Sequence, residues 1–227
     1  MRCLLVICLA GLITVPAMAV KTPVECDDPD RMPVDCGLIN ICIEWDGTFL
    51  TEPCGGAPVW QFGPDTSIPG DGCDGVPVGE VAGTILNGLY PNLAGEIAIG
   101  LMGFEVTEAC RLLEVCHYYD IESFFDGGNL TINGQVVAPI GGYPEAEIFT
   151  GAACVGGEPG FSGSSGGWVL DCWDLTPYLG QTIDVAVKFG SDGSVQFPGW
   201  YIDTAVIGNN EPVPIDETTW GRIKTWF

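Results

Sequence analysis

The sequence predicts an all-β domain, a sandwich or barrel. Two observations carry this: about nine short segments are rich in β-branched and aromatic residues, and turn signals recur every 8–12 residues or so between them. A third is that no convincing long helix interrupts them until the C-terminal tail.

The first 19 residues stand outside that domain. Arg2, the apolar run from Cys3 to Val15 and the small-x-small site Ala17-Met18-Ala19 read as a signal peptide. No stretch approaches the ~20 apolar residues of a membrane span. Residues 20–40 are rich in Pro, Asp and Cys and read as an irregular N-terminal arm. Residues 41–210 form the β domain, and 211–227 a linker and tail.

Within the domain, residues 38–44 are the first strand candidate, with a turn at Asp46-Gly47. Residues 51–80 read as a long Gly/Pro/Asp loop around one short strand at Val59-Trp60-Gln61-Phe62. Strands follow at 81–86 and 96–101. Residues 111–122 form the longest strand candidate, since β-branched and aromatic content favours strand over helix. Asp126-Gly127-Gly128-Asn129 reads as a turn. Residues 130–132 and 135–138 then make a hairpin through Asn133-Gly134, a type I′ pair. Residues 146–152 are a further strand candidate, 156–167 a Gly/Ser loop and 168–173 a strand. After a single turn at 175–180, residues 182–189 alternate with period two. Ile183, Val185, Val187 and Phe189 share one face. Residues 190–208 bring a Gly/Asp turn, then a closing apolar strand that carries one acid, Asp203. In the tail, Pro212 and Pro214 precede a short amphipathic helix over 216–227, with Trp220, Ile223, Trp226 and Phe227 on one face. That helix reads either as a plug on the sandwich or as a docking tail for a partner.

Charge and cysteines set the environment. Seven Lys and Arg face 30 Asp and Glu, a formal charge of −23. Nucleic acid and anionic membranes are poor partners for such a chain. Cations suit it, above all Ca²⁺, although an acidic surface also serves solubility alone. Of 11 cysteines, Cys3 and Cys8 lie in the leader, and nine remain. In an exported chain these argue for disulfides, with at least one thiol left over. Local closure predicts Cys54–Cys73 and Cys154–Cys172, with further bridges among Cys26, Cys36 and Cys42. Zinc fits poorly, because there is no C-x-x-C and a single His.

The chemistry-bearing motifs are sparse. His117 lies within an apolar strand and reads as a structural histidine. Gly163-Ser164-Ser165-Gly166-Gly167 matches G-x-S-x-G but sits in a Gly/Ser loop, not between a strand and a helix. Asn129-Leu130-Thr131 is a glycosylation sequon that we read as silent. Asp120 and Glu122, at i and i+2, share a strand face and form one candidate metal pair. Aromatic platforms for a sugar are available in Trp60, Tyr143, Trp168, Trp173 and Trp200, residue types that serve cores as readily.

The order of short motifs carries a resemblance. They are Val59-Trp60-Gln61-Phe62-Gly63, Gly83-Thr84-Ile85-Leu86-Asn87-Gly88, His117-Tyr118-Tyr119-Asp120-Ile121-Glu122, Asp126-Gly127-Gly128-Asn129, Pro159-Gly160-Phe161-Ser162-Gly163, Asp174-Leu175-Thr176-Pro177-Tyr178-Leu179-Gly180-Gln181 and Gly199-Trp200-Tyr201-Ile202-Asp203. Residues 41–208 thereby resemble the jelly-roll accessory domain of immune inhibitor A-type secreted metallopeptidases and related MAM-like, carbohydrate-module-like sandwiches. The resemblance implies a jelly roll and a structural Ca²⁺ held by Glu44 and Asp46 early and Asp203 late. The second acid usual after Tyr-Ile-Asp in that family is Thr204 here. There is no His-Glu-x-x-His, so the resemblance implies a non-catalytic accessory module. The expected function is secreted binding or adhesion to a glycan or protein. The rival from another class is an envelope-assembly protein that docks through its tail.

Overall fold

The computed structural model describes residues 50–208 except 74 and 76. The leader, the N-terminal arm, Glu44, Asp46 and the tail lie outside the described residues.

Among the described residues, ten strands build two five-stranded antiparallel sheets. One sheet runs β1 (Leu50–Pro53), β4 (Gly95–Glu105), β9 (Thr182–Gly190), β6 (Gly127–Ile132), β7 (Gln135–Val136). The other runs β2 (Trp60–Pro64), β3 (Glu80–Thr84), β10 (Gly199–Gly208), β5 (Leu112–Asp120), β8 (Val169–Asp174). A single 3₁₀ turn, Thr176–Tyr178, joins β8 to β9.

The core lies between the sheets. β9 contributes Ile183, Val185, Val187 and Phe189, all buried, as its alternation requires. They meet Leu113 and Val115 of β5 and Trp200 and Ile202 of β10 in one apolar cluster. β10 sits between β3 and β5, so the closing strand is central to its sheet. Its acid, Asp203, is the extra residue of a β-bulge between Ile202 and Thr204.

Three sequence expectations need correction. Residues 50–53 form an edge strand on β4, although they lie almost wholly within the stretch read as loop. Every side chain of that strand is exposed, so no apolar alternation marks it. Residues 146–152 form turns, not a strand. Gly127 and Gly128 begin β6 instead of making a turn. They are glycines because of crowding: a Cβ on Gly127 would lie 2.4 Å from Ile148, and one on Gly128 2.5 Å from the Trp200 ring. The hairpin at Asn133-Gly134 forms as expected, with positive φ at both residues (51° and 75°).

The disulfides also differ from local closure. Cys54 joins Cys154, and Cys73 joins Cys116. Cys172 is disulfide-bonded too, but not to Cys154. Sheet topology explains this. β1 pairs with β4, whose Gly95 lies opposite Gly190 of β9, and Ala153 bonds to Ser191 just beyond it. Residues 100 apart in sequence thereby become neighbours. Cys110 is free and buried.

Candidate functional site: a carboxylate cluster at one end of the sandwich

One end of the sandwich gathers three acids. Glu122 follows β5, Asp126 immediately precedes β6 and Asp192 follows β9. The ends of β6 and β9 are in register, Gly127 opposite Gly190. β5 belongs to the other sheet. The cluster therefore spans both sheets. One carboxylate oxygen from each residue lies within 4.8 Å of the other two.

Hydrogen bonds fix the arrangement. The hydroxyl of buried Tyr90 donates to Asp126 Oδ2 at 2.7 Å and accepts from the Glu122 amide at 3.1 Å. The Asp192 amide donates to Asp126 Oδ1 at 2.7 Å. Ser162 Oγ approaches the carbonyls of Glu122 and Asp126 at 3.2 and 2.7 Å. Glu122 Oε2 is buried without a hydrogen-bond partner. A buried acceptor left unmade costs about 1–3 kcal/mol, so this oxygen points to a missing donor or cation.

The electrostatics agree. Burial pushes the Asp126 carboxyl from 3.8 up to about 6, even though the Asp192 amide and the Tyr90 hydroxyl favour its charged form. Glu122 is raised too, by desolvation and then by the charge of Asp192. Two neighbouring carboxyls that resist ionising beside a third acid are relieved by a cation. Oxygens on opposite sides of one Ca²⁺ stand roughly 4.6–5.2 Å apart, so the observed spacing admits one ion with all three residues as ligands. An all-oxygen, carboxylate-rich set suits that hard cation.

The expected site residues fall differently. Glu122 joins the cluster, whereas its expected partner Asp120 does not. Asp120 is the last residue of β5, opposite Gly199. Asp203, on its bulge, is also outside the group. Asp126 and Asp192 went unread because the first seemed part of a turn and the second part of the Gly/Asp turn that precedes the closing strand. The signal for them was pairing: Gly127 and Gly190 end adjacent strands.

The candidate sugar platforms divide by burial. Trp173 and Trp200 are fully enclosed and Trp60 is 7% exposed, so none offers a face to solvent. They are core residues, as Trp173 Nε1 donating to Val137 O at 2.8 Å illustrates. Tyr143 is half-buried, its hydroxyl held between Leu130 N and Val137 O. Trp168 is half-buried beside Tyr118 and donates to Pro69 O at 2.9 Å. His117 is fully buried between Trp200 and Asp171. Asn129 is fully buried, with its amide nitrogen donating to Glu158 Oε2 and Pro159 O, and offers no room for a glycan. A gap between the sheets is lined by apolar residues including Leu113, Leu130, Val185 and Ile202 and carries no polar side chain.

No family model matches the chain, and no solved structure matches it. Curated proteins from two bacteria are among those that do match. It is 33% identical over 86 residues to the pre-pro-metalloprotease PrtV of Vibrio cholerae serotype O1 (strain M66-2), 38% of this chain and 9% of that protein. It is 28% identical over 151 residues to bacillopeptidase F of Bacillus subtilis (strain 168), 66% of this chain and again 9% of the relative. The homology is weak and falls on non-peptidase parts of both proteins. The chain thus spans about a tenth of the length of the relatives it matches. Among the described residues, no helix is long and apolar enough to cross a membrane.

Proposed function

We propose that the chain is a secreted, non-catalytic binding or adhesion module whose two sheets are clamped at one end by Ca²⁺. The observation that carries the metal is the convergence of Glu122, Asp126 and Asp192 with one buried, unpartnered carboxylate oxygen. The likeness to non-peptidase parts of two proteases supports an accessory role. The ligand is an extracellular glycan or protein. Calcium would offset mutual repulsion of the three acids and lock the ends of β5, β6 and β9. It acts structurally, by making the loops at this end rigid enough to present a binding surface. Melting curves in excess Ca²⁺ and in EGTA test the proposal. A higher melting temperature with Ca²⁺, abolished by Glu122→Gln with Asp192→Asn, supports it. Identical curves in the two conditions refute it.

A further inference from the structure

We infer that Phe124, Phe125 and Phe149 form a docking surface for a protein segment with an apolar anchor flanked by basic side chains. The inference rests on the reading of the chain as a binding module, but not on the metal.

The three rings are 46%, 39% and 36% exposed, in a sandwich that buries most of its large aromatics. They touch one another, with centroids 5.3, 5.5 and 6.3 Å apart. Their two loops are tied by the Phe149 amide, which donates to Phe124 O at 2.8 Å. Clustered exposed aromatics mark interaction surfaces more often than scattered ones do.

Backbone strain holds the patch outward. Phe124 has φ 73°, left-handed for a bulky side chain. That conformation is fixed by the bond to Phe149 and by the Phe124 amide donating to Ser162 Oγ at 2.8 Å. Strain of this kind persists where the surroundings over-determine it, commonly at functional loops.

Charge selects the occupant. Exposed Glu147 precedes Phe149 by two residues, and the whole chain carries 30 Asp and Glu against seven Lys and Arg. The described residues contain two cations. Lys188 is buried against Glu158, and Arg111 lies at the far end of β5, beside Gly208. An apolar patch beside an exposed acid, on so acidic a chain, attracts an apolar segment bearing Lys or Arg. A sugar fits less well: the rings stand at 81°, 67° and 40° to one another and form no flat platform, and phenylalanine has no polar tip.

The test is selection of a random dodecapeptide phage library on the full chain in calcium-containing buffer, followed by titration of the synthesised winners. Winners should pair aromatic or aliphatic residues with Lys or Arg and weaken as salt rises. Phe125→Ser with Phe149→Ser should weaken them about tenfold or more without lowering the melting temperature. Phe124→Gly, which relieves the left-handed backbone, should also weaken them and guards against misfolding of the double variant. Winners that lack cations, winners that bind both variants as well as wild type, or no winners at all overturn the inference. So does capture at this patch of arrayed oligosaccharides or of phosphatidylserine vesicles in place of peptides. A calcium-dependent melting shift without peptide binding sinks this inference alone. Peptide binding without that shift sinks the metal alone.

Discussion

The indole Nε1–H of Trp200 donates to Nδ1 of His117 across 3.0 Å, deep between the sheets. Indole only donates, so that imidazole nitrogen must accept. The other nitrogen, Nε2, is then the protonated one, and it donates to Asp171 Oδ2 at 2.8 Å. The chain's one histidine is thus fixed as a single neutral tautomer by its two neighbours.

Replacing His117 with Phe therefore strands a buried indole N–H. We expect a loss of about 1–3 kcal/mol in urea unfolding. Asp171→Asn should cost less, because the Asp171 side chain is 29% exposed and reaches water. Equal stability of His117→Phe and wild type would contradict the network.

Asp126 gives the apo protein a characteristic pH dependence. Its folded value of about 6 lies above the ordinary 3.8, so the folded state holds the proton more tightly. This group's contribution is complete below about pH 4 and is lost as pH rises through about 6. In EGTA, Asp126→Asn should remove that fall in stability between pH 4 and 7, whatever it does to the overall level. Calcium competes with the proton, so the Ca²⁺-induced melting shift should grow across the same window. A calcium shift as large at pH 4.5 as at pH 7.5 would oppose this assignment.

Peptide mapping under non-reducing conditions should recover Cys54–Cys154 and Cys73–Cys116, with Cys110 alkylated only after unfolding. Replacing Cys54 and Cys154 together with Ala should cost about 2–5 kcal/mol. A recovered Cys54–Cys73 peptide would contradict the topology.

What the sequence disclosed follows from how local each signal is. β9 announces itself through Ile183, Val185, Val187 and Phe189, because one buried face imposes period two. The Asn133-Gly134 turn is equally local. β1 was illegible because an exposed edge strand has no buried face to pattern. β4 runs beyond its expected end at residue 101, to Glu105, through register shifts near Gly103, which takes φ 66°. The site was half legible. Glu122 was read as half of a strand-face pair with Asp120, but its partners come from turns brought together only by β6 pairing with β9. The candidate sugar platforms misled for a simple reason: Trp173 and Trp200 fill the sandwich, and composition does not say which side of a strand they occupy.

The proposed calcium clamp across the two sheets is tested most directly by crystals grown with Ca²⁺ and measured for anomalous scattering. We expect one peak between Glu122, Asp126 and Asp192, with carboxylate oxygens about 2.3–2.6 Å away. A calcium-soaked crystal with no peak there, and with Glu122 Oε2 still unpartnered, would contradict the account.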